Sequence, residues 1–141
     1  ATDVRQIMEN LKKDGKLETF GYPFNKYPIA CCGVMSVIFA HIIQEHGFGS
    51  ADYVLGQYYN EANGLSPSHA WLKLDGLCID ITADQFEDEN YDGVIVVAEE
   101  NYLPKRKFIP DGKPYSVSFN DNESLVHQLI LNELKQLKVI N

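Results

Sequence analysis

The stretch that decides the fold is "NKYPIACCGVMSVIFAHIIQEHGF", residues 25–48. From Cys32 to His46 apolar residues occur on most sides of any helix drawn through them, so this helix would be largely buried. Gly47 is a typical residue for ending such a helix. The sequence therefore predicts a central buried helix that begins at one of two adjacent cysteines, Cys31 and Cys32.

Helices are also predicted at both ends of the chain. Residues 3–13 place apolar side chains on one helical stripe, with Thr2 as the N-cap and Gly15 as a stop. A second amphipathic stripe runs from Leu125 to Leu137, and helices of this kind pack their apolar side on a core. The cap candidates of this last helix are Asp121, Asn122 and Ser124.

Between these helices the pattern of apolar residues changes to alternation, which predicts strands. Strands are predicted within residues 51–60, 68–82 and 92–99, and an edge strand within 113–119. Neighbouring strands lack the helical crossovers that a parallel sheet needs. We therefore expect one α+β domain over residues 1–141, with a central helix packed on an antiparallel sheet.

The dipeptide Asp75-Gly76 predicts a hairpin turn and thereby a strand register. In this register Leu74 lies opposite Leu77, and His69 and Asp80 lie diagonally on one face, about 5–8 Å apart between Cβ atoms. We expect that face to be exposed. The opposite, apolar face is expected to be core and consists of Ala70, Leu72, Leu74, Leu77, Ile79 and Ile81.

Cysteine, histidine and aspartate in this arrangement are typical of nucleophilic catalysis. A thiol at a helix N-terminus ionises more readily because backbone N–H groups and the helix dipole stabilise the thiolate. An Asp that accepts a hydrogen bond from a His orients the imidazole as a base. Cys32 is the favoured nucleophile, since Gly33 permits close approach of a substrate, and Cys31 is the alternative.

Other polar residues are weaker candidates for the same site. Asn25 and Tyr27 precede the cysteines and are considered as oxyanion donors, while Asp84 and Gln85 follow Asp80 and are considered as part of the pocket wall. A zinc site is disfavoured because no CxxC spacing exists, so no metal or cofactor is predicted. The residues weighed for zinc are Cys31, Cys32, Cys78 and His69.

Three segments together carry a family resemblance: "CGVMSVIFAHIIQEHGF", "YVLGQYY" and "SHAWLKLDGLCIDITADQF". Over roughly residues 28–97 the chain resembles the core of the transglutaminase-like, papain-like superfamily, with the motifs in the family's order. The resemblance implies that superfamily's fold. It also implies a catalytic triad at the matching positions Cys32, His69 and Asp80.

The same resemblance implies a cysteine-dependent amide hydrolase, either a protein glutamine deamidase or a peptidase, that works through a thioester. Its likeness to compact bacterial members favours an effector or toxin domain. Cross-linking is less favoured, because nothing in the sequence resembles the calcium sites of animal transglutaminases. The alternative is a catalytically inactive member that binds proteins, as an adaptor or immunity-type protein does.

Composition limits the classes of partner. The chain has 141 residues and a formal net charge of -8, and its densest basic run, residues 105–107, reads as a solvated loop. Nucleic acid is thus an unfavoured partner, and a protein or peptide substrate is expected. Three cysteines make no closed disulfide framework, and no signal peptide or apolar span of membrane length is seen. We expect a cytoplasmic protein, or one delivered into a target cell.

Overall fold

Three α-helices and a five-stranded antiparallel sheet make up the regular structure within the residues that the computed structural model describes. These residues are 1–58, 64, 67–86, 89–115 and 118–140, without the side chains of 138–140. The helices are α1 (Thr2–Lys13), α2 (Cys32–Glu45) and α3 (Asp121–Ile140). The strands are β1 (Asp52–Gln57), β2 (Ser68–Leu74), β3 (Leu77–Asp80), β4 (Ile95–Ala98) and β5 (Ile109–Pro110), in the sheet order β4-β3-β2-β1-β5. The predicted α+β class is confirmed.

Helix α2 is the centre of the main core, as its composition predicts. It packs on β1 and β2 and on α3, and α1 packs against α3. Apolar residues spaced three and four apart on α1 turn one side of that helix inward. The buried residues that α1, the sheet with the residue after β3, and α3 add to this core are Val4, Ile7, Met8, Leu11, Leu72, Ile79, Ile81, Val126 and Ile130.

The hairpin between β2 and β3 has the predicted turn and register. Leu74 lies opposite Leu77, and Leu72 lies opposite Ile79. Both turn residues have positive φ, 51° at Asp75 and 80° at Gly76, as a two-residue turn that matches the twist of the strands requires. This register brings His69 on β2 and Asp80 on β3 to the same face.

That face of the sheet is buried, and the prediction of an exposed face is wrong. Residues 99–110 contain short 3₁₀ turns and cover it with aromatic rings. A second apolar cluster results, whose fully buried members are Trp71, Cys78, Tyr102 and Phe108. Leu77, by contrast, is exposed on the face expected to be core. The sheet is thus covered on both faces, and His69 and Asp80 lie between the sheet and its aromatic cover.

Gly56 on β1 makes room for this cover. A Cβ atom built at Gly56 would lie 2.6 Å from the backbone oxygen of Phe108 and 2.9 Å from the ring of Trp71. Both distances are shorter than van der Waals contact, so any side chain here would displace Phe108. The glycine therefore helps to enclose His69, which lies opposite it on β2.

Three local predictions, of one strand and two helix caps, are wrong. The strand at the edge next to β1 is Ile109–Pro110, while no strand occurs in the described part of 113–119, and residues 116 and 117 lie outside the described residues. Asn120 caps α3, because its Oδ1 accepts from the N–H of Glu123 at 2.8 Å. Thr2 is the first residue of α1 and not its cap.

The basic run at residues 105–107 is not simply a solvated loop. Lys105 pairs with Glu99 at 2.5 Å, and Lys107 pairs with Glu89 at 2.7 Å. Of these three residues, Arg106 alone is exposed, and the two lysines are half-buried. The pair with Glu89 joins residues 99–110 to the segment before β4, and the pair with Glu99 lies within residues 99–110.

Arg5 ties α1 to the turn that follows β3. Its guanidinium donates to both carboxylate oxygens of Asp84, at 2.9 and 2.7 Å, and to the carbonyl of Ile81 at 2.7 Å. A bidentate pair of this kind holds both partners in one orientation. Since Asp80 and Gln85 flank this turn in sequence, Arg5 holds in place the segment that carries them.

Candidate active site

Cys32 is the first residue of α2 and is partly exposed. Within the described residues, no backbone hydrogen bond satisfies the N–H groups of Cys32, Gly33 or Val34. Such free N–H groups and the positive end of the helix dipole favour a thiolate at this position. Cys32 is therefore the cysteine that a substrate can reach.

Cys31, the alternative nucleophile, turns inward. It is fully buried, and its Sγ lies 3.2 Å from the carbonyl oxygen of Pro23. Burial raises the pKa of the Cys31 thiol to about 12. The two adjacent cysteines thus differ in exposure and in the pKa of their thiols, and Cys31 is a protonated core residue.

His69 and Asp80 form a buried hydrogen-bonded pair. His69 Nε2 lies 2.6 Å from Asp80 Oδ2, and neither side chain is more than marginally exposed. The hydroxyl of Tyr102 also donates to Oδ2, and the N–H of Thr82 donates to Oδ1 at 3.0 Å. Asp80 therefore accepts three hydrogen bonds, two at Oδ2 and one at Oδ1.

Cys32 and His69 stabilise each other's charged forms. Burial by itself raises the pKa of Cys32, but hydrogen bonds, that from His69 first, bring it below its ordinary value. Burial by itself lowers the pKa of His69, yet hydrogen bonds to Asp80 and Cys32 raise it to about 9. Because Nε2 is engaged by Asp80, the Nδ1 atom is the one left to face the thiol. The pair can thus exist as thiolate and imidazolium.

Gln85 completes the surroundings of the thiol. Its Oε1 accepts from the N–H of Ala30 at 3.1 Å, and its Nε2 donates to the carbonyl of Thr82 at 3.1 Å. These two bonds define which end of the amide is nitrogen, so the second hydrogen on Nε2 points toward His69 and Cys32. The sequence places Gln85 only in the pocket wall, because the bonds that orient it come from residues distant along the chain.

Ala30 precedes the cysteine pair in a strained conformation. Its φ is 64°, in the left-handed region that residues with a Cβ rarely adopt. The hydrogen bond from Ala30 to Gln85 holds it there. This hydrogen bond joins the turn that precedes Cys32 and α2 to the segment that follows β3.

Aromatic rings enclose the imidazole of His69, which is completely buried. The ring centroids of Phe86, Phe108 and Trp71 lie 5.0, 5.6 and 5.9 Å from it. Water is excluded from this side, which strengthens the interaction with Asp80. Trp71 fills core volume and also lies beside the imidazole.

Tyr53 on β1 is a neighbour of Cys32 that the sequence does not reveal. Burial raises the pKa of Tyr53 to about 12, and the charges of Cys32 and Tyr115 add to this rise. Its hydroxyl lies 3.3 Å from the position of a Cβ built at Gly33. Gly33 therefore leaves room beside the thiol for the Tyr53 hydroxyl.

The remaining candidate residues either lie away from the Cys32 thiol or make structural contacts elsewhere. Asn25 is exposed, and the hydroxyl of Tyr27 is buried beside Arg5 without a hydrogen-bond partner in the described part of the chain. Asp84 binds Arg5, and Cys78 packs in the aromatic cluster. Among the described residues no group of three or more His, Cys, Asp or Glu side chains could hold a metal ion.

No family model, curated protein or solved structure matches this chain. In the described residues no helix has the length and apolar character needed to cross a membrane.

Proposed function

We infer that this protein is a cysteine-dependent amide hydrolase of the transglutaminase-like, papain-like type, acting on a protein or peptide. The observation that carries this inference is the chain of contacts from Cys32 through His69 to Asp80, with Nε2 of His69 2.6 Å from Asp80. A thiol at a helix start, a base bonded to it and a carboxylate behind the base are what cysteine acyl chemistry requires.

The first half of the proposed reaction forms a thioester. The Cys32 thiolate attacks the carbonyl carbon of an amide, and negative charge moves to the carbonyl oxygen. The N–H of Cys32 and the Nε2 of Gln85 are the donors positioned to stabilise that oxygen. His69 Nδ1 gives its proton to the amide nitrogen as the C–N bond breaks, so ammonia or an amine leaves.

The second half returns the site to its starting state. Water gives a proton to His69 Nδ1 while its oxygen attacks the thioester carbon. The C–S bond breaks, which releases a carboxylic acid and restores the thiolate and imidazolium. Asp80 accepts from Nε2 throughout and holds the ring with Nδ1 toward the thiol.

The experiment is an unbiased search for products. A tryptic digest of a whole proteome is incubated with the wild-type protein and, as a matched control, with Cys32→Ala, and both are analysed by mass spectrometry. We expect either a gain of about one dalton at glutamine, which means deamidation, or new peptide termini, which mean cleavage.

Products that appear equally with Cys32→Ala, or no products at all, would contradict the inference. The second result, together with an unreactive Cys32, would favour the inactive protein-binding module. The acidic composition of the chain is compatible with either outcome.

A further inference from the structure

The segment 99–110 that covers the sheet contributes a polar atom to the buried pair of His69 and Asp80. This atom is the hydroxyl of Tyr102, a residue that is 2% exposed. The hydroxyl donates to Asp80 Oδ2 at 2.5 Å, and His69 Nε2 lies 2.6 Å from the same oxygen. One carboxylate oxygen is therefore shared between the imidazole and the phenol.

The two donors compete for the negative charge of this oxygen. A hydrogen bond from Tyr102 draws electron density from Oδ2 and leaves less of it to stabilise the imidazolium. The rings of Phe86, Phe108 and Trp71 enclose the imidazole, and electrostatic interactions are stronger in such surroundings than in water. A change in the phenol should therefore alter how firmly the imidazole holds its protons.

The orientation of the Asp80 carboxylate does not depend on Tyr102 alone. The N–H of Thr82 donates to Oδ1 at 3.0 Å, while His69 contacts Oδ2. These two contacts hold both oxygens of the carboxylate. Removing the phenol hydroxyl should thus leave the contact between His69 and Asp80 in place and change the charge on Oδ2.

The first half of the proposed reaction needs an imidazolium that can release a proton. Burial lowers the pKa of His69, but Asp80 and Cys32 outweigh this effect and raise the pKa to about 9. An acid is a slower proton donor the further its pKa lies above the working pH. The hydroxyl of Tyr102 acts against this rise, because it takes up part of the charge of Asp80.

We propose that Tyr102 is a positioning residue of the active site, whose hydroxyl limits how tightly the Asp80 carboxylate holds the proton of the His69 imidazolium. The proposal rests on the proposed function and adds a residue from outside the sheet to its machinery.

Other titratable side chains also act on this group of residues. Cys32 at the start of α2 bonds to His69, while Cys78 on β3 and Tyr91 before β4 lie near Tyr102. Burial raises the pKa of Cys78, which keeps that thiol neutral. The variants of Tyr102 leave these side chains unchanged, so a change in the titration of His69 can be assigned to Tyr102.

The test is a titration of His69 by NMR between about pH 6 and pH 11, on protein with carbon-13 in its histidine rings. The signal of His69 is identified by its absence from His69→Gln. Wild type is compared with Tyr102→Phe, which lacks the hydroxyl, and with Tyr102→3-fluorotyrosine. The fluorinated phenol is a stronger hydrogen-bond donor because fluorine withdraws electrons from the ring.

The two variants are expected to shift the titration in opposite directions. In Tyr102→Phe the pKa of His69 should rise by about 0.5 to 1, because the charge of Oδ2 is then left to the imidazolium. In Tyr102→3-fluorotyrosine it should fall by about 0.2 to 0.5, because the stronger donor takes more of that charge. A purely structural role of the ring would not reverse the sign.

An unchanged pKa of His69 in both variants would overturn the proposal, as would shifts in the same direction. The fluorinated ring keeps its hydroxyl and nearly its shape, so if Tyr102→Phe failed to fold, a fluorinated protein that titrates as wild type would overturn the proposal by itself. Tyr58→Phe is the matched control, since Tyr58 packs in the same aromatic cluster and is not one of the three donors to Asp80. We expect His69 to titrate in that variant as in wild type.

The proposed function and the role of Tyr102 fail in different ways, because the titration needs no substrate. Shifts of opposite sign without any product from the proteome digest would remove the hydrolase and keep the effect of Tyr102 on His69. Products that require Cys32, with an unchanged titration, would remove the role of Tyr102 alone. If both inferences hold, the alkaline limit of the pH–rate profile should move with the pKa of His69, since the imidazolium is the acid of the first half.

Discussion

Cys32→Ala is expected to abolish product formation, with a loss of about 10⁵-fold or more, because no other group can form the thioester. Its matched control is the neighbouring Cys31→Ala, for which we expect activity within about threefold of wild type. Cys31 is fully buried and points to the carbonyl of Pro23, away from a substrate. The measurement is the rate at the most reactive peptide of the digest.

The Cys31 variant should show a different defect. Removing a buried sulfur leaves a small cavity, so we expect a loss of about 1 kcal/mol in the free energy of unfolding, measured with urea. If Cys31→Ala lost activity and Cys32→Ala kept it, the assignment of the nucleophile would be reversed.

Asp80→Asn is expected to reduce the rate by about 10³- to 10⁴-fold. The carboxylate accepts from His69, Tyr102 and Thr82, and these donors approach both of its oxygens. An amide has only one acceptor oxygen, so in either orientation its NH₂ group faces a donor. The substitution also removes the negative charge that stabilises the His69 imidazolium. A less stable imidazolium in turn stabilises the Cys32 thiolate less.

Asp75→Asn is the matched control for this substitution. Asp75 lies in the hairpin turn with φ at 51°, a conformation that asparagine adopts readily, and it is exposed. We expect wild-type rate and stability for this variant. An Asp80→Asn protein that folds and retains more than about a tenth of the rate would show that the carboxylate does not support the imidazole.

The hairpin explains why His69 and Asp80 could be paired from sequence alone. A two-residue turn at Asp75-Gly76 specifies the register of both strands, and a register specifies which side chains share a face. The start of α2 at Cys32 was likewise predictable, because a long apolar run ends at Gly47. These local rules involve residues that are close in sequence.

The cover over that face could not be predicted in the same way. Tyr102 and Phe108 lie in a segment of short 3₁₀ turns, where apolar residues follow neither the helical nor the strand period. The lysines of this segment suggest a loop exposed to solvent, yet Lys105 and Lys107 form ion pairs with Glu99 and Glu89. Only tertiary contacts bring these rings to His69.

Gln85 and Tyr53 were not predictable as neighbours of the thiol for a related reason. Gln85 is oriented by Ala30, which lies 55 residues earlier in the chain. Tyr53 reaches Cys32 only because β1 packs beside α2. No local spacing specifies either contact.

The most direct test of the account is the pH dependence of alkylation of Cys32 by iodoacetamide, measured between about pH 5 and pH 10. In wild type we expect the rate to rise with an apparent pKa below the ordinary value of a thiol, because the His69 imidazolium stabilises the thiolate. In His69→Gln the apparent pKa should move above that of wild type, since burial then opposes ionisation. The same apparent pKa in both proteins, or an ordinary value in wild type, would contradict the proposal that Cys32 and His69 form a catalytic ion pair.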